Sequence, residues 1–164
     1  MTPSEYLTRD HRRLEALFDA STRDGELDLA RYDEFRIGLL RHIGMEETIV
    51  LPLLREQNST FFGERQLRAE HGAIAALLVP PPTPELLCAL RTLLKKHNLL
   101  EETQRTLYDI LDTCCFEQHP TLVDRMQQHP APPLSRHINN PDAYEPARRA
   151  VARAGYDFDK LAAE

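Results

Sequence analysis

The sequence contains no tryptophan and only six glycines in 164 residues, which leaves few of the residues that build strands and tight turns and many that suit helices. It also lacks a long apolar run. The densest apolar stretches, residues 49–54 and 73–79, fall far short of the roughly 18 residues that a membrane span needs, so no membrane partner is expected. Positive charge is in deficit too, with 20 Lys and Arg against 26 Asp and Glu and a net charge of −6. A phosphate-backbone binder carries a basic footprint, so nucleic acid is excluded as a partner. The three cysteines, Cys88, Cys114 and Cys115, are odd in number and the last two are adjacent. They read as reduced thiols rather than a disulfide framework. The first residues, MTPSEYLTRDHRR, place charges where an export signal needs apolar side chains, so the expected compartment is the cytoplasm.

What the chain does have is helical periodicity. Four segments, at about 3–20, 28–57, 63–79 and 84–115, repeat apolar residues in steps of three and four. They are separated by Asp24-Gly25, by Asn58-Ser59 and Gly63, and by Pro80-Pro81-Pro82 ahead of Thr83 as N-cap and Pro84 in the first turn. Short connections between long helices predict an all-α, up-down antiparallel four-helix bundle over residues 1–115. Pro52 should kink the second helix or end its regular part early. Residues 116–164 hold His119-Pro120, His129-Pro130 and Asn140-Pro141, and read as a Pro-rich appendage. Short helices are expected there near 122–128 and 142–154, the latter with Ala143, Ala147, Val151 and Ala154 on one face.

The apolar stripes are interrupted in a patterned way. The first helix runs Leu7, His11, Leu14, Phe18; the second runs Phe35, Leu39, His42, Glu46, Ile49, Leu53. The third runs Leu67, His71, Ile74, Leu78, and the fourth Leu90, Leu94, His97, Glu101, Gln104, Tyr108, Leu111. Each helix places a histidine in its buried stripe, and two add a glutamate. Burying a carboxylate costs several kcal/mol unless it is compensated, and a metal ion supplies the compensation. The set also repeats: His11 with His42-x-x-x-Glu46, then His71 with His97-x-x-x-Glu101. Four imidazoles and two carboxylates divide evenly between two ions, and mixed nitrogen and oxygen donors suit iron first and manganese second. Two non-haem irons are expected, joined by the carboxylates and a bridging oxo or hydroxo group. Glu47 and Glu102, one residue further on, point about 140° away from their histidines and are set aside as ligands.

These residues resemble the hemerythrin and HHE cation-binding family, whose bundle carries histidine on the first helix, His-x-x-x-Glu on the second, histidine on the third and His-x-x-x-Glu or His-x-x-x-x-Asp on the fourth. The resemblance covers about residues 1–115. It implies a small diatomic or peroxide ligand, since members bind dioxygen, sense oxygen or iron, or respond to nitric oxide and peroxide. Oxygen carriers of the family look to need a second histidine one turn after the third-helix histidine, where this chain has Ala75. Stable oxygen carriage is therefore not expected.

Other polar residues read more simply. Tyr6 and Tyr108 are core tyrosines with a satisfied hydroxyl, and Gln104 at most supports Glu101. His119, His129 and His137 are solvated loop residues, and the charged runs 9–13 and 148–149 are solvated faces. The leading function is binding or sensing of a small ligand at a bridged di-iron site. The alternatives are a redox enzyme that decomposes peroxide or reduces nitric oxide, and an iron-storage or homeostasis role. A homodimer or a protein partner would engage the C-terminal appendage.

Overall fold

The computed structural model describes residues 1–59 and 61–164. It is helical throughout, with no strand among the described residues. No described helix is long and apolar enough to cross a membrane. The chain divides into two compact units, Met1–Phe61 with Glu102–Leu134, and Phe62–Glu101 with Ser135–Glu164.

In the first unit, α1 (Pro3–Ser21) packs along α2 (Leu29–Met45). Helix α1 opens with a capping box: the Thr2 hydroxyl accepts the Glu5 amide, and the Glu5 carboxylate accepts the Thr2 amide. Both orphan donors are thereby satisfied beside Pro3. Helix α2 starts at Asp28, whose side chain accepts the Arg31 amide. Its regular part ends at Met45, where residues Glu46–Val50 form one widened turn before α3 (Leu51–Glu56). The Leu51 amide bonds to the Glu46 carbonyl, five residues back. Pro52 lacks the amide that would bond to Thr48, and the wider turn accommodates its ring.

The fourth periodic segment differs from its sequence expectation. It is two helices, α5 (Pro84–Glu102) and α6 (Leu107–Cys114), because the chain breaks at Thr103, Gln104, Arg105 and Thr106. Arg105 takes a left-handed conformation, φ 64°, and its amide is held by the Asp109 carboxylate at 2.9 Å. Threonine disfavours helix interiors, and the local carboxylate offers the backbone an alternative partner. The break exposes Gln104, which therefore leaves the buried stripe, while Tyr108 stays buried at 3% exposure. Helix α6 packs on α1, tied by the Asp112 carboxylate to the Ser4 amide and hydroxyl.

Helix α7 (His119–Gln127) begins earlier than expected, because Pro120 falls in the first turn, where a missing amide costs nothing. The Arg41 guanidinium donates to the carbonyls of Met126, Gln127 and His129 at the end of α7. A cation there complements the helix dipole.

In the second unit, α4 (Glu64–Leu77) leads through the proline loop to α5, where the Thr83 hydroxyl accepts the Leu86 amide as N-cap. Helix α8 (Tyr144–Arg153) lays Ala147, Ala150, Val151 and Ala154 against α4, and α9 (Phe158–Ala163) follows. The small side chains permit close approach. The three proline-flanked histidines are not simply solvated: His119 reaches the Asp112 carbonyl, His129 the Thr48 hydroxyl, and His137 the Pro80 carbonyl. All three thiols are free.

Candidate metal centre

The first unit brings His11 from α1 together with His42 from α2 and Glu46 from the widened turn that follows it. All three are buried, at 4%, 1% and 0% exposure. One donor atom from each lies within 4.8 Å of the others. The His42 Nε2 is 3.4 Å from Glu46 Oε1, and the His11 and His42 ring centroids are 4.4 Å apart. The i, i+4 spacing stacks His42 over Glu46 on one helix face, just where the widened turn begins.

Tyr108 joins this cluster. Its hydroxyl donates to Glu46 Oε1 at 2.7 Å and lies 3.2 Å from His11 Nε2 and 3.3 Å from His42 Nε2. The sequence reading of a plain core tyrosine is thus too modest. The break after Glu102 starts a new helix whose phase the stripe did not disclose. Tyr6, by contrast, stays outside the buried set.

The second unit repeats the arrangement with His71 from α4 and His97 and Glu101 from α5, at 4%, 2% and 0% exposure. Glu101 Oε1 is 3.0 Å from His97 Nε2 and 3.7 Å from His71 Nε2. Each unit therefore assembles two imidazoles and one carboxylate from a pair of helices.

The outer ring nitrogens show a further regularity. His11 Nδ1 faces Glu102 Oε1 at 2.6 Å, His42 Nδ1 faces Asp10 Oδ2 at 2.9 Å, and His97 Nδ1 faces Glu70 Oε2 at 2.9 Å. Because a carboxylate only accepts, the ring donates through Nδ1–H, and Nε2 is turned toward the Glu46 or Glu101 side. Burial opposes ionising these carboxylates, but the bonds outweigh it. Asp10 is held at about 2 by His42 and Arg13, Glu70 is lowered by His97, Tyr156 and Gln66, and Glu102 is lowered by His11 and Arg12. Burial likewise opposes charge on His97, yet Glu101 and Glu70 push it up to about 9.

None of Asp10, Glu70 or Glu102 stands out by helical spacing. The run 9–13 is not merely a solvated face, because Asp10 leans inward with its side chain 10% exposed. A signal was nevertheless present: an acidic residue directly precedes the first histidine of each hairpin, Asp10-His11 and Glu70-His71, and serves the second histidine, His42 or His97.

The donor chemistry fits a transition metal. Two donors bound at right angles to one ion at about 2.1 Å lie about 3 Å apart. The separations of 2.7–3.4 Å among Tyr108, His11, His42 and Glu46, and of 3.0 Å between His97 and Glu101, are of that size. Imidazoles oriented by carboxylates are the usual arrangement of metal-binding histidines. Comparison with curated proteins and with solved structures gave no match. The family model for the hemerythrin HHE cation-binding domain matches residues 2–129, most of the chain. With the helical fold and the two clusters of histidine and glutamate, this shows that the chain belongs to the hemerythrin HHE cation-binding family.

Proposed function

We propose that the protein is a non-haem di-iron protein that binds or senses a small oxidising ligand: dioxygen, peroxide or nitric oxide. His11, His42 and Glu46 would hold one ion and His71, His97 and Glu101 the other. The carrying observation is that each histidine–histidine–glutamate cluster converges while carboxylates hold the outer nitrogens of His11, His42 and His97. Iron bound there supplies a redox-active centre that accepts small oxidants.

The residues do the rest. Asp10, Glu102 and Glu70 fix ring orientation and keep Nε2 as the metal-facing atom. Leu7, Leu14 and Leu39 in the first unit, and Leu67, Ile74 and Leu93 in the second, are buried alongside and favour a small ligand over a bulky one. Tyr108 Oη stands within hydrogen-bond reach of its unit's three donors and would add a fourth to that cluster. The second cluster has no such addition, since Ala75 stands one turn after His71, so the two ions would be unequally supplied with donors. Tyr108 also gives the redox-enzyme reading its specific support, because a phenol proton is held next to Glu46.

Metal analysis of purified protein tests the proposal. About two ions per chain, mainly iron, are expected, and the reduced protein should change its visible spectrum on mixing with air, peroxide or nitric oxide. A single tightly bound zinc, or no metal at neutral pH, overturns it.

A further inference from the structure

The last part of the chain lies beyond the residues that the family model matches, yet it reaches the carboxylate that supports a candidate ligand. Tyr156 Oη donates to Glu70 Oε1 at 2.6 Å, and Glu70 Oε2 accepts from His97 Nδ1 at 2.9 Å. The Gln66 amide donates to the same Glu70 oxygen at 2.8 Å and to the Ala154 carbonyl at 2.9 Å. Four side chains and the end of α8 thus form one connected hydrogen-bond chain within the second unit.

The route by which Tyr156 arrives is local and specific. After α8 the chain turns at Gly155, φ +88°, with the Gly155 amide bonded to the Ala152 carbonyl and the Tyr156 amide to the Val151 carbonyl. That pair of bonds is a Schellman closure, which needs a left-handed residue, and glycine takes that conformation without the side-chain penalty. The turn sends Tyr156 back toward α4 while α8 buries its alanine face there. Arg148 pairs with Asp159 at 2.9 Å and covers the Phe158 ring, holding the following segment without touching Glu70.

We propose that Tyr156 is a positioning residue for the metal centre, through which the C-terminal segment sets the donor strength of His97 by way of Glu70. A hydrogen bond given to Glu70 draws negative charge from its carboxylate and weakens the pull of that carboxylate on the His97 Nδ1 proton. His97 is then a less basic ligand than Glu70 alone would make it. Undocking the segment removes the Tyr156 hydroxyl and makes His97 the stronger donor, which favours the oxidised metal. The inference rests on His97 being a metal ligand.

The test uses the full-length, iron-loaded chain and reads the midpoint potential of the bound iron, together with the rate at which a ferrous chelator strips it. Tyr156→Phe should shift the potential negative, and Glu70→Gln should shift it positive and speed stripping about tenfold or more. Arg148→Ala, which removes an exposed ion pair beyond Tyr156 and keeps the buried alanine face of α8 that docks the segment, should leave the potential unchanged. Opposite signs separate tuning through the carboxylate from loss of packing, which would move both variants the same way. Equal potentials in wild type and Tyr156→Phe, or a same-sign shift in all three variants, overturn the inference while leaving the di-iron reading intact. Failure of the wild-type chain to retain iron overturns both.

Discussion

At positions 10 and 70 a carboxylate precedes one histidine and supports another, so neighbours in sequence serve different ligands in space. This arises because residues one apart on a helix diverge by about 100°, which aims Asp10 at the facing helix while His11 points to the cluster. The same geometry separates Glu101 from Glu102. Glu46→Ala and Glu101→Ala should remove most bound iron. Glu102→Gln, which weakens the hold on His11, should reduce affinity about tenfold, and Glu47→Ala should leave iron content near wild type. Iron per chain after desalting, with chelator competition, checks the order; equal loss in all four would remove the distinction between ligand and support. The thiols give a second residue-scale prediction. Burial, with Cys114 Sγ 3.9 Å away, pushes Cys115 up to about 12, whereas Cys88 is exposed. Because the folded state binds the Cys115 proton more tightly than the unfolded chain does, this contribution to stability is complete below the ordinary thiol pKa near 9. It is lost as pH rises from there toward about 12. Thiol titration at pH 8 should label Cys88 first and Cys115 only after denaturation; rapid labelling of Cys115 in native protein would contradict its burial.

The widened turn Glu46–Val50 is the element on which the first cluster depends. It is held from inside by the Thr48 hydroxyl, which donates to the Gly44 carbonyl at 2.6 Å, and from outside by His129. A Cβ on Gly44 would meet His129 Cε1 at 2.8 Å, closer than side chains tolerate. Gly44→Ala should therefore displace the end of α7 and destabilise the protein by about 1–3 kcal/mol, the usual cost of overpacking. Denaturant melts of the single variant and of Gly44→Ala with His129→Ala check this. Recovery in the double variant is expected, and an undiminished loss would place the strain elsewhere. The break between α5 and α6 has the opposite character, since a polar, threonine-rich turn there costs a helical turn and brings Tyr108 to His11, His42 and Glu46.

Across the whole molecule, the proposed metal sites predict a link between metal binding and folding. Six buried imidazoles and carboxylates are stable companions in an apolar interior when an ion neutralises them. Free ion at a thousandfold excess over Kd adds about 4 kcal/mol per site. At roughly 2–4 °C per kcal/mol for a chain of this size, removal of both ions should lower Tm by well over ten degrees. Calorimetry of metal-free and reloaded protein measures it, and coincident transitions would show that the clusters bind no metal in the folded state.

The helical class, the family and the order of the six candidate ligands were legible in the sequence, because period and spacing are one-dimensional and a histidine in an apolar stripe violates the pattern visibly. The N-cap at Thr83, the effect of Pro52 and the alanine face of α8 were legible for the same reason, each being a local rule. Tertiary structure decided what local rules cannot reach. Tyr108 took on contacts with His11, His42 and Glu46, which lie 97, 66 and 62 residues away. Asp10, Glu102, Glu70 and Tyr156 acquired their roles through partners 32, 91, 27 and 86 residues away. A charged side chain on a helix edge looks the same in sequence whether it faces water or the back of an imidazole. Only the packing of one helix against the next distinguishes the two.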